Sequence, residues 1–234
     1  MAAARPSGAS GTDARTVNEI RRRLRKAYGP LDPGRRLDPL EELVMTILSQ
    51  NTSDVNSGRA YESLRTRFPS WERLAAARPR EVEAAIRAGG LAKVKAPRIL
   101  AVLREIRRRE GGFDLSWMED ASGEDIEAYL TSLPGVGPKT VAVEMAFSLG
   151  RPALPVDTHV HRVATRLGFI PPGMPAHKAH LALAELVPPK MRIEMHVGLI
   201  NHGRAICKAG RPRCEECPLN DLCPTAPLYL GDKG

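Results

Sequence analysis

The segment Leu133–Thr140, LPGVGPKT, combines two glycines, a proline and a lysine in an order that could hold an anion beside a nucleophile. Gly135 and Gly137 can adopt positive φ, and their lack of a side chain lets backbone N–H groups approach an anion closely. Pro138 suits the first position of a helix because its missing N–H would be unpaired there anyway. Lys139 then falls in the first helical turn, where the helix dipole favours anions and disfavours a second cation. The segment therefore predicts a phosphate-binding turn that carries a candidate nucleophile.

A second candidate for chemistry is Asp157, which follows Lys139 by eighteen residues in the segment VDTH. A carboxylate can take the proton that an attacking amine gives up, so the two residues could carry out covalent catalysis together. Aspartate is also a common helix N-cap, and both roles stay open for Asp157. The loop over residues 150–155 separates the two candidates and is a possible domain seam, where ligands commonly bind.

All four cysteines lie close together near the end of the chain, spaced Cys207-x6-Cys214-x2-Cys217-x5-Cys223. This clustering indicates one centre bound by four thiolates, since disulfide frameworks belong to small secreted chains. Zinc is one candidate, but zinc sites with four cysteines usually contain two Cys-x2-Cys pairs and this chain has one. Four cysteines in a short run of loops can enclose a [4Fe-4S] cluster, which fits the spacing better.

The loop between the first two cysteines is strongly basic and contains Lys208, Arg211 and Arg213. Cations held beside a rigid metal centre are suited to binding phosphate. Ordinary surface charges that shield the cluster are an equally good interpretation of this loop taken alone.

Composition limits the classes of protein further. The chain has 234 residues, 42% of them apolar, and a net charge of +8, which indicates a globular protein with an anionic partner. No run of eighteen apolar residues is present, so a membrane span is not expected. Residues 1–14 are mostly small and polar, predict a disordered tail, and contain no secretory signal, so an intracellular, cytoplasmic location is expected.

Apolar residues recur at helical spacing along nearly the whole chain, as in the stripe Val17, Ile20, Leu24 and Tyr28. About ten helices are predicted, and no sustained period-two alternation indicates a sheet, so the fold class is all-α. The predicted helix starts pair a capping residue or a proline with an apolar run. They lie at Asp38-Pro39, Ser53-Asp54, Ser70-Trp71, Pro79, Glu124-Asp125, Pro138, Asp157 and Pro175.

Taken together, the hairpin segment, the VDTH segment and the cysteine spacing resemble the endonuclease III family of helix-hairpin-helix DNA glycosylases. The resemblance covers about residues 15–228. Four further segments resemble that family in the same order: DPLEEL (38–43), ILSQNTSD (47–54), GLAKVKA (90–96) and NHGR (201–204).

The resemblance implies two helical lobes with a DNA-binding cleft between them. One would be a helical barrel domain, residues 37–151, that contains the helix-hairpin-helix; the other would be an iron-sulfur cluster domain, residues 15–36 and 152–234. The implied cofactor is a [4Fe-4S] cluster held by the four cysteines. The implied partner is double-stranded DNA with damaged bases or abasic sites, bound by a monomer in the cytoplasm at the nucleoid.

Roles for individual residues also follow from the resemblance. Lys139 matches the family nucleophile and Asp157 its catalytic carboxylate. Leu91 matches the residue that wedges into the duplex, and Asn51 matches the position that faces the base opposite the lesion. That position is more often glutamine in the family, and Gln50 is adjacent, so both are candidates. The remaining implied DNA contacts are the hairpin residues Gly135, Val136 and Gly137 and the loop cations Lys208, Arg211 and Arg213.

The activity implied is that of a bifunctional glycosylase and lyase, which removes oxidised pyrimidines through a lysine Schiff base and cuts the strand 3′ to the abasic site. A monofunctional adenine glycosylase generally lacks the hairpin lysine and has a glutamate where this chain has Met45–Leu48. A thymine mismatch glycosylase also usually lacks the lysine. A non-catalytic DNA-binding protein is the alternative from another class.

Overall fold

A computed structural model describes residues 14–34 and 36–231 of the chain. Those residues form helices and connecting loops with no β-strand, which confirms the all-α prediction. The tail predicted over residues 1–14 lies outside the described residues except for Ala14, which begins the first helix. Twelve α-helices are present in the described ranges: α1 (Ala14–Tyr28), α2 (Pro39–Ser49), α3 (Asp54–Arg67), α4 (Trp71–Ala76), α5 (Pro79–Ala85), α6 (Ala92–Glu110), α7 (Gly123–Thr131), α8 (Pro138–Val143), α9 (Thr158–Arg166), α10 (Ala176–Leu186), α11 (Arg192–Ala205) and α12 (Pro227–Leu230).

The helices divide into two compact units. The central unit comprises Arg36–Gly150 and contains α2 to α8. The terminal unit combines the residues before Arg36 with those after Gly150 and contains α1 and α9 to α12.

The core of the central unit is built around α2 and α6, which bury most of their apolar side chains. Short polar side chains fix where several helices of this unit begin, because they accept hydrogen bonds from otherwise unpaired backbone N–H groups. Asp38 accepts from the Leu40 N–H at 2.9 Å, and Ser122 accepts from the Asp125 N–H at 3.0 Å. The fully buried members from the two central helices are Leu40, Leu43, Val44, Ile47, Leu48, Ala96, Ile99, Val102, Leu103 and Ile106.

The terminal unit joins segments that are far apart in sequence. Helix α1 packs on α11, and the absence of a side chain at Gly198 permits the close approach, since a Cβ there would lie 3.0 Å from Leu24. Arg21 Nη1 and Glu194 Oε2 form an ion pair across the same contact at 2.6 Å. The apolar stripe predicted for α1 is confirmed, because Val17, Ile20 and Leu24 are all buried.

None of the helices in the described ranges is both long enough and apolar enough to span a bilayer.

Candidate functional site

The predicted hairpin consists of α7, a turn over residues 132–137, and α8. Gly135 adopts φ +74° and lies directly against Arg98, because a Cβ at this position would come within 2.6 Å of the Arg98 Nε. Gly137 differs from the prediction. It is the N-cap of α8 with φ −122°, a conformation open to any residue, and open space surrounds its Cβ position. Only Gly135 therefore needs the conformational freedom of glycine in this turn.

Lys139 occupies the second position of α8, after Pro138 at the first position as predicted, and its side chain is exposed. Helix α8 passes directly into a turn of π-helix, Glu144–Ser148. Single π-helical turns occur frequently at functional sites. Val136, between the two glycines, is buried and anchors the turn to the core of the central unit.

Asp157 is the N-cap of α9, and its Oδ1 accepts a hydrogen bond from the Val160 N–H at 2.7 Å. The capping role raised by the sequence is therefore present. Its Oδ2 accepts no hydrogen bond from the residues that the structure describes, so one oxygen of the half-buried carboxylate is available for chemistry. Lys139 belongs to the central unit and Asp157 to the terminal unit.

Leu91 and Asn51 share an uncommon backbone conformation. They are the two non-glycine residues in the described ranges with positive φ, at +50° and +52°. This conformation costs a non-glycine residue on the order of 1–3 kcal/mol, and such strain concentrates at functional sites. The side chain of Leu91 is 52% exposed at the start of α6, and Asn51 is exposed after the end of α2. The structure thus presents both predicted DNA-contacting side chains to solvent.

Gln50 is arranged differently from its neighbour. Its Oε1 accepts a hydrogen bond of 2.6 Å from Arg98 Nη1, and the side chain is half-buried. Because the same Arg98 lies against Gly135, one guanidinium connects Gln50 to the hairpin turn. Of the two candidates for facing the opposite base, Gln50 is engaged within the protein and Asn51 is the exposed one.

The four cysteines line one pocket of the terminal unit, together with apolar side chains that include Val163, Leu167 and Ile206. All four are free thiols in the part of the chain described. Cys207 follows α11, Cys214 begins a short 3-10 turn, and Cys217 ends that turn. A set of four thiols converging on one apolar pocket matches the donor set that iron-sulfur clusters use.

Hydrogen-bond donors surround these sulfurs. The Cys207 Sγ accepts from Arg166 Nη1 at 3.2 Å, and the Cys217 Sγ accepts from the Leu219 N–H at 3.4 Å. Burial raises the pKa of Cys217 to about 11 and also raises the pKa of Cys214 and Cys223. Burial thus disfavours free thiolates in this pocket, and bound metal cations would offset that cost, so the residues present fit an iron-sulfur cluster.

The loop between Cys207 and Cys214, here called the cluster loop, is basic, and hydrogen bonds connect it to other parts of the terminal unit. Arg166 of α9 donates to the Lys208 carbonyl at 2.7 Å and to the Ala209 carbonyl at 3.3 Å. Arg213 forms an ion pair with Glu216 at 3.0 Å and donates to the Ala205 carbonyl at 2.7 Å. Lys208, Arg211 and Arg213 are all exposed, as the predicted phosphate contacts need to be.

Several residues of the site were not singled out from the sequence. Lys95 is the clearest case, because this lysine is only 2% exposed. Its burial could have been predicted from its spacing, which places it on the same face of α6 as the buried residues Ile99, Val102 and Ile106. Arg98 and Arg166 gave no such signal, because arginines recur along several helices of the chain, as in α1 and α6.

His202 of α11 makes two polar contacts beside the cysteine pocket. Its Nδ1 lies 2.9 Å from the Tyr28 hydroxyl, and its Nε2 lies 3.5 Å from the Cys217 Sγ. Burial lowers the pKa of His202 to about 4, so the ring is neutral at physiological pH. A neutral ring adds no further charge to the thiolate pocket.

Comparison with known proteins agrees with this geometry. The family model for the HhH-GPD superfamily base excision DNA repair protein matches residues 44–189, and the model for the iron-sulfur binding domain of endonuclease III matches residues 207–223. Endonuclease III of Thermotoga maritima is 34% identical over 186 residues, which cover 80% of this chain and 83% of that protein.

Solved structures give the same result. A non-covalent endonuclease III–DNA complex superimposes with a TM-score of 0.81 at 26% identity, covering 94% of this chain and 99% of that one. A trapped covalent endonuclease III–DNA intermediate has a TM-score of 0.81 at 27% identity, covering 93% and 98%.

The chain belongs to the HhH-GPD superfamily of base excision DNA repair proteins. The iron-sulfur match begins at Cys207 and ends at Cys223, the first and last of the four cysteines. Within the superfamily its place is therefore in the endonuclease III family, a family of DNA glycosylases with AP lyase activity. The predicted family, enzyme class and [4Fe-4S] cofactor are confirmed.

Proposed function

We propose that this protein removes oxidised pyrimidines from duplex DNA and then cuts the strand 3′ to the resulting abasic site. The observation that carries the proposal is Lys139, an exposed lysine in the first turn of α8 directly after the hairpin. A hairpin without this lysine could hold DNA and support base removal by water, but it could not form a Schiff base.

Lys139 acts as the nucleophile in this proposal. The neutral Nζ attacks C1′ of the damaged nucleotide, and the C1′–N bond breaks with its electron pair leaving on the base. The attached amine then loses a proton and its lone pair forms a C1′=N bond, while the C1′–O4′ bond breaks and O4′ takes a proton. The resulting Schiff base acidifies the C2′ proton. Loss of that proton drives β-elimination, and the 3′ phosphate leaves with the electrons of its C–O bond. One lysine thus supplies both base removal and strand cleavage.

Asp157 assists at the steps in which a proton leaves Lys139 or positive charge develops on the sugar. Its Oδ2, which accepts no hydrogen bond from the described residues, takes the proton from Lys139 or stabilises the positive charge that develops on the sugar. The capping bond at Oδ1 fixes the orientation of the carboxylate. The proposal therefore assigns the two oxygens of Asp157 to different tasks.

Binding rests on phosphate contacts from both units and on disruption of the duplex at the lesion. We assign the phosphate contacts to the backbone of Gly135, Val136 and Gly137 and to the cluster-loop cations Lys208, Arg211 and Arg213. We assign the wedge to Leu91 and the contact with the opposite base to Asn51. Extruding a nucleotide costs a few kcal/mol, least for a damaged base that pairs badly, and this favours lesions over normal bases.

The [4Fe-4S] cluster would be held by Cys207, Cys214, Cys217 and Cys223. When bound, it supplies four Fe–S bonds that cross-link the loops of the terminal unit, together with a capacity for one-electron exchange. Base removal and β-elimination transfer no net electrons, so these steps run on the side chains of the protein. The proposed enzyme acts as a monomer on chromosomal DNA inside the cell.

Borohydride trapping tests the proposal directly. Incubation of the protein with a duplex containing thymine glycol and borohydride is expected to give a covalent protein–DNA adduct. Lys139→Gln is expected to abolish the adduct, because the amide has no basic lone pair to attack C1′. Lys178→Gln, a change at an exposed lysine of α10, is the matched control and should leave the adduct unchanged.

Absence of an adduct with active, correctly folded protein would contradict the lyase assignment. Base release without strand cleavage in the same assay would instead assign the chain to a monofunctional glycosylase. Binding to the duplex with neither product would leave only the non-catalytic alternative.

A further inference from the structure

One buried side chain connects the two strained segments that carry Asn51 and Leu91. The Lys95 Nζ donates hydrogen bonds to the Leu48 carbonyl at 2.6 Å and to the Gly89 carbonyl at 2.8 Å. Leu48 lies three residues before Asn51, and Gly89 lies two residues before Leu91. The ammonium group therefore sits between the last turn of α2 and the turn that leads into α6.

The backbone of Lys95 holds the second segment as well. Its N–H donates to the Leu91 carbonyl at 3.0 Å, as part of the first turn of α6. This first turn has no side-chain cap, because the N-cap position is Leu91 itself in the left-handed conformation. The Lys95 backbone thus holds Leu91 at its carbonyl, and the Lys95 side chain holds the preceding turn at the Gly89 carbonyl.

The Gly89 carbonyl is a firm anchor for this contact. Gly89 belongs to a 3-10 turn, Arg87–Gly89, that packs on α3. A Cβ at Gly89 would lie 2.9 Å from the Cβ of Ala60, so the turn is pressed against the helix as closely as the backbone allows. The position of Leu91 is therefore tied to the core of the central unit through Lys95 and α3.

Stability alone does not account for a lysine at this place. Lys95 is 2% exposed, and none of the described residues forms an ion pair with it. Burial lowers its pKa, because an ammonium without a counter-charge is poorly solvated inside a protein. Residues that break the rules of core packing in this way are expected mainly at functional sites.

We propose that Lys95 is a positioning residue that holds the Leu91 wedge and Asn51 at one fixed separation for opening the duplex. The inference rests on the proposed function, because the wedge and the opposite-base contact are parts of it. Lys95 itself touches no DNA. It acts by keeping two exposed side chains in the geometry that the interrupted duplex requires, so that no binding energy is used to order them.

The test compares one abasic site in two settings. In a duplex, the enzyme must separate the site from its opposite base, which needs the wedge. In single-stranded DNA there is no opposite base, so the same lyase reaction proceeds without it. Lys95→Met removes both hydrogen bonds while keeping a chain of similar length. It is expected to slow single-turnover cleavage of the duplex on the order of 10- to 100-fold, while cleavage of the single strand stays near that of the unaltered chain.

Two comparison variants separate positioning from damage to the fold. Leu91→Ala should show the same selective loss, and combining it with Lys95→Met should add little, because both act on one element. Leu103→Ala, at a fully buried position on the same helix, destabilises the unit without touching either segment. It should give no difference between the two substrates below its melting temperature.

A second readout needs no catalysis. 2-Aminopurine placed opposite a stable abasic analogue becomes more fluorescent when a wedge unstacks it. The unaltered chain should raise this signal, and Lys95→Met should not, although it still binds the duplex. If Lys95→Met fails to fold, Gly89→Ala moves the same turn from the other side, since its Cβ would meet Ala60, and the same selective loss is expected.

The outcomes distinguish failure of the proposed function from failure of the role proposed for Lys95. If the unaltered chain neither cleaves the duplex nor raises the fluorescence, the proposed function fails and this inference fails with it. If the unaltered chain does both and Lys95→Met matches it, the role of Lys95 alone is overturned. Equal loss of Lys95→Met activity on duplex and single strand would also overturn it, since a general structural defect would then explain the result.

Discussion

At the scale of single residues, Asp157 shows how one side chain can serve both the fold and the proposed chemistry. Its Oδ1 closes the first turn of α9 through the Val160 N–H, and its Oδ2 has no partner among the described residues. The sequence left both capping and catalysis open for Asp157, and the capping bond at Oδ1 leaves the second oxygen available, so the structure allows both to hold together.

Two substitutions separate these tasks. Asp157→Asn keeps an N-cap of equal quality, so its melting temperature should match that of the unaltered chain. Base removal should nevertheless fall about 100-fold or more, because an amide cannot take a proton. Asp157→Ala should lose both the activity and about 1 kcal/mol of stability. Thermal melts and single-turnover excision assays check the pair, and an active Asp157→Asn enzyme would remove the carboxylate from the mechanism.

Glu144 is a buried acid without a partner. It is 1% exposed, and neither carboxyl oxygen has a hydrogen bond among the described residues, since the nearby Ser148 hydroxyl donates to the Leu37 carbonyl. Burial, followed by the charge of Glu42, raises the pKa of Glu144 well above its ordinary value of 4.5. The folded chain therefore binds more protons than the unfolded chain, and the stability that depends on this proton is lost as the pH rises above about 4.5.

Glu144→Gln should consequently stabilise the protein relative to the unaltered chain, and the difference should grow as the pH rises above about 4.5. Denaturant unfolding at several pH values measures it. Glu105→Gln is the control, because Arg108 and Arg109 lower the pKa of the partly buried Glu105 to about 2 and its contribution is constant over that pH range. A Glu144→Gln difference that does not change with pH would mean that the carboxyl ionises without cost in the folded state.

At the scale of elements, most helix starts could be predicted from capping chemistry, and the exceptions have a physical reason. Helices α2, α3, α4 and α9 begin after the predicted caps Asp38, Ser53, Ser70 and Asp157. Helices α6 and α11 begin without any side-chain cap, so no local signal marked them. The start of α6 depends on tertiary contacts of Lys95 and Gly89, which a single sequence does not reveal.

The hairpin turn was predicted as an element, but the separate roles of its two glycines were not. Sequence alone gave both glycines the same freedom, whereas only Gly135 uses positive φ. Arg98 lies against Gly135 and not against Gly137, and it is 37 residues from Gly135 in sequence, so a single sequence does not reveal this contact.

These two glycines provide a matched pair of substitutions. Gly135→Ala must adopt a strained backbone and displace the Arg98 side chain, so a loss of about 1–3 kcal/mol is expected. Gly137→Ala keeps an ordinary backbone conformation with no steric conflict and should lose less than about 1 kcal/mol. Denaturant unfolding of both variants tests this order of effects, and equal losses would show that the positive φ does not matter.

At the scale of the whole molecule, the two units should respond differently to loss of the cluster. Removal of iron by chelation and oxidation leaves four thiols in an apolar pocket with no metal to cross-link them. Hydrogen exchange on the full chain should then accelerate over residues 192–231 and in the helices that pack on them, while residues 36–150 stay protected. Uniform acceleration along the chain would indicate one cooperative unit and would contradict this prediction.

The contact between α1 and α11 also has a consequence for biosynthesis. Arg21 and Glu194, which pair across it, are separated by 173 residues, and all of the central unit lies between them. During translation the central unit can complete its core while α1 still lacks its partner, because domains generally fold as their residues emerge. The apolar stripe of α1 therefore stays exposed until α11 has left the ribosome. The four cysteines follow α11 in sequence, so a cluster can be assembled on them only after the whole central unit has been synthesised.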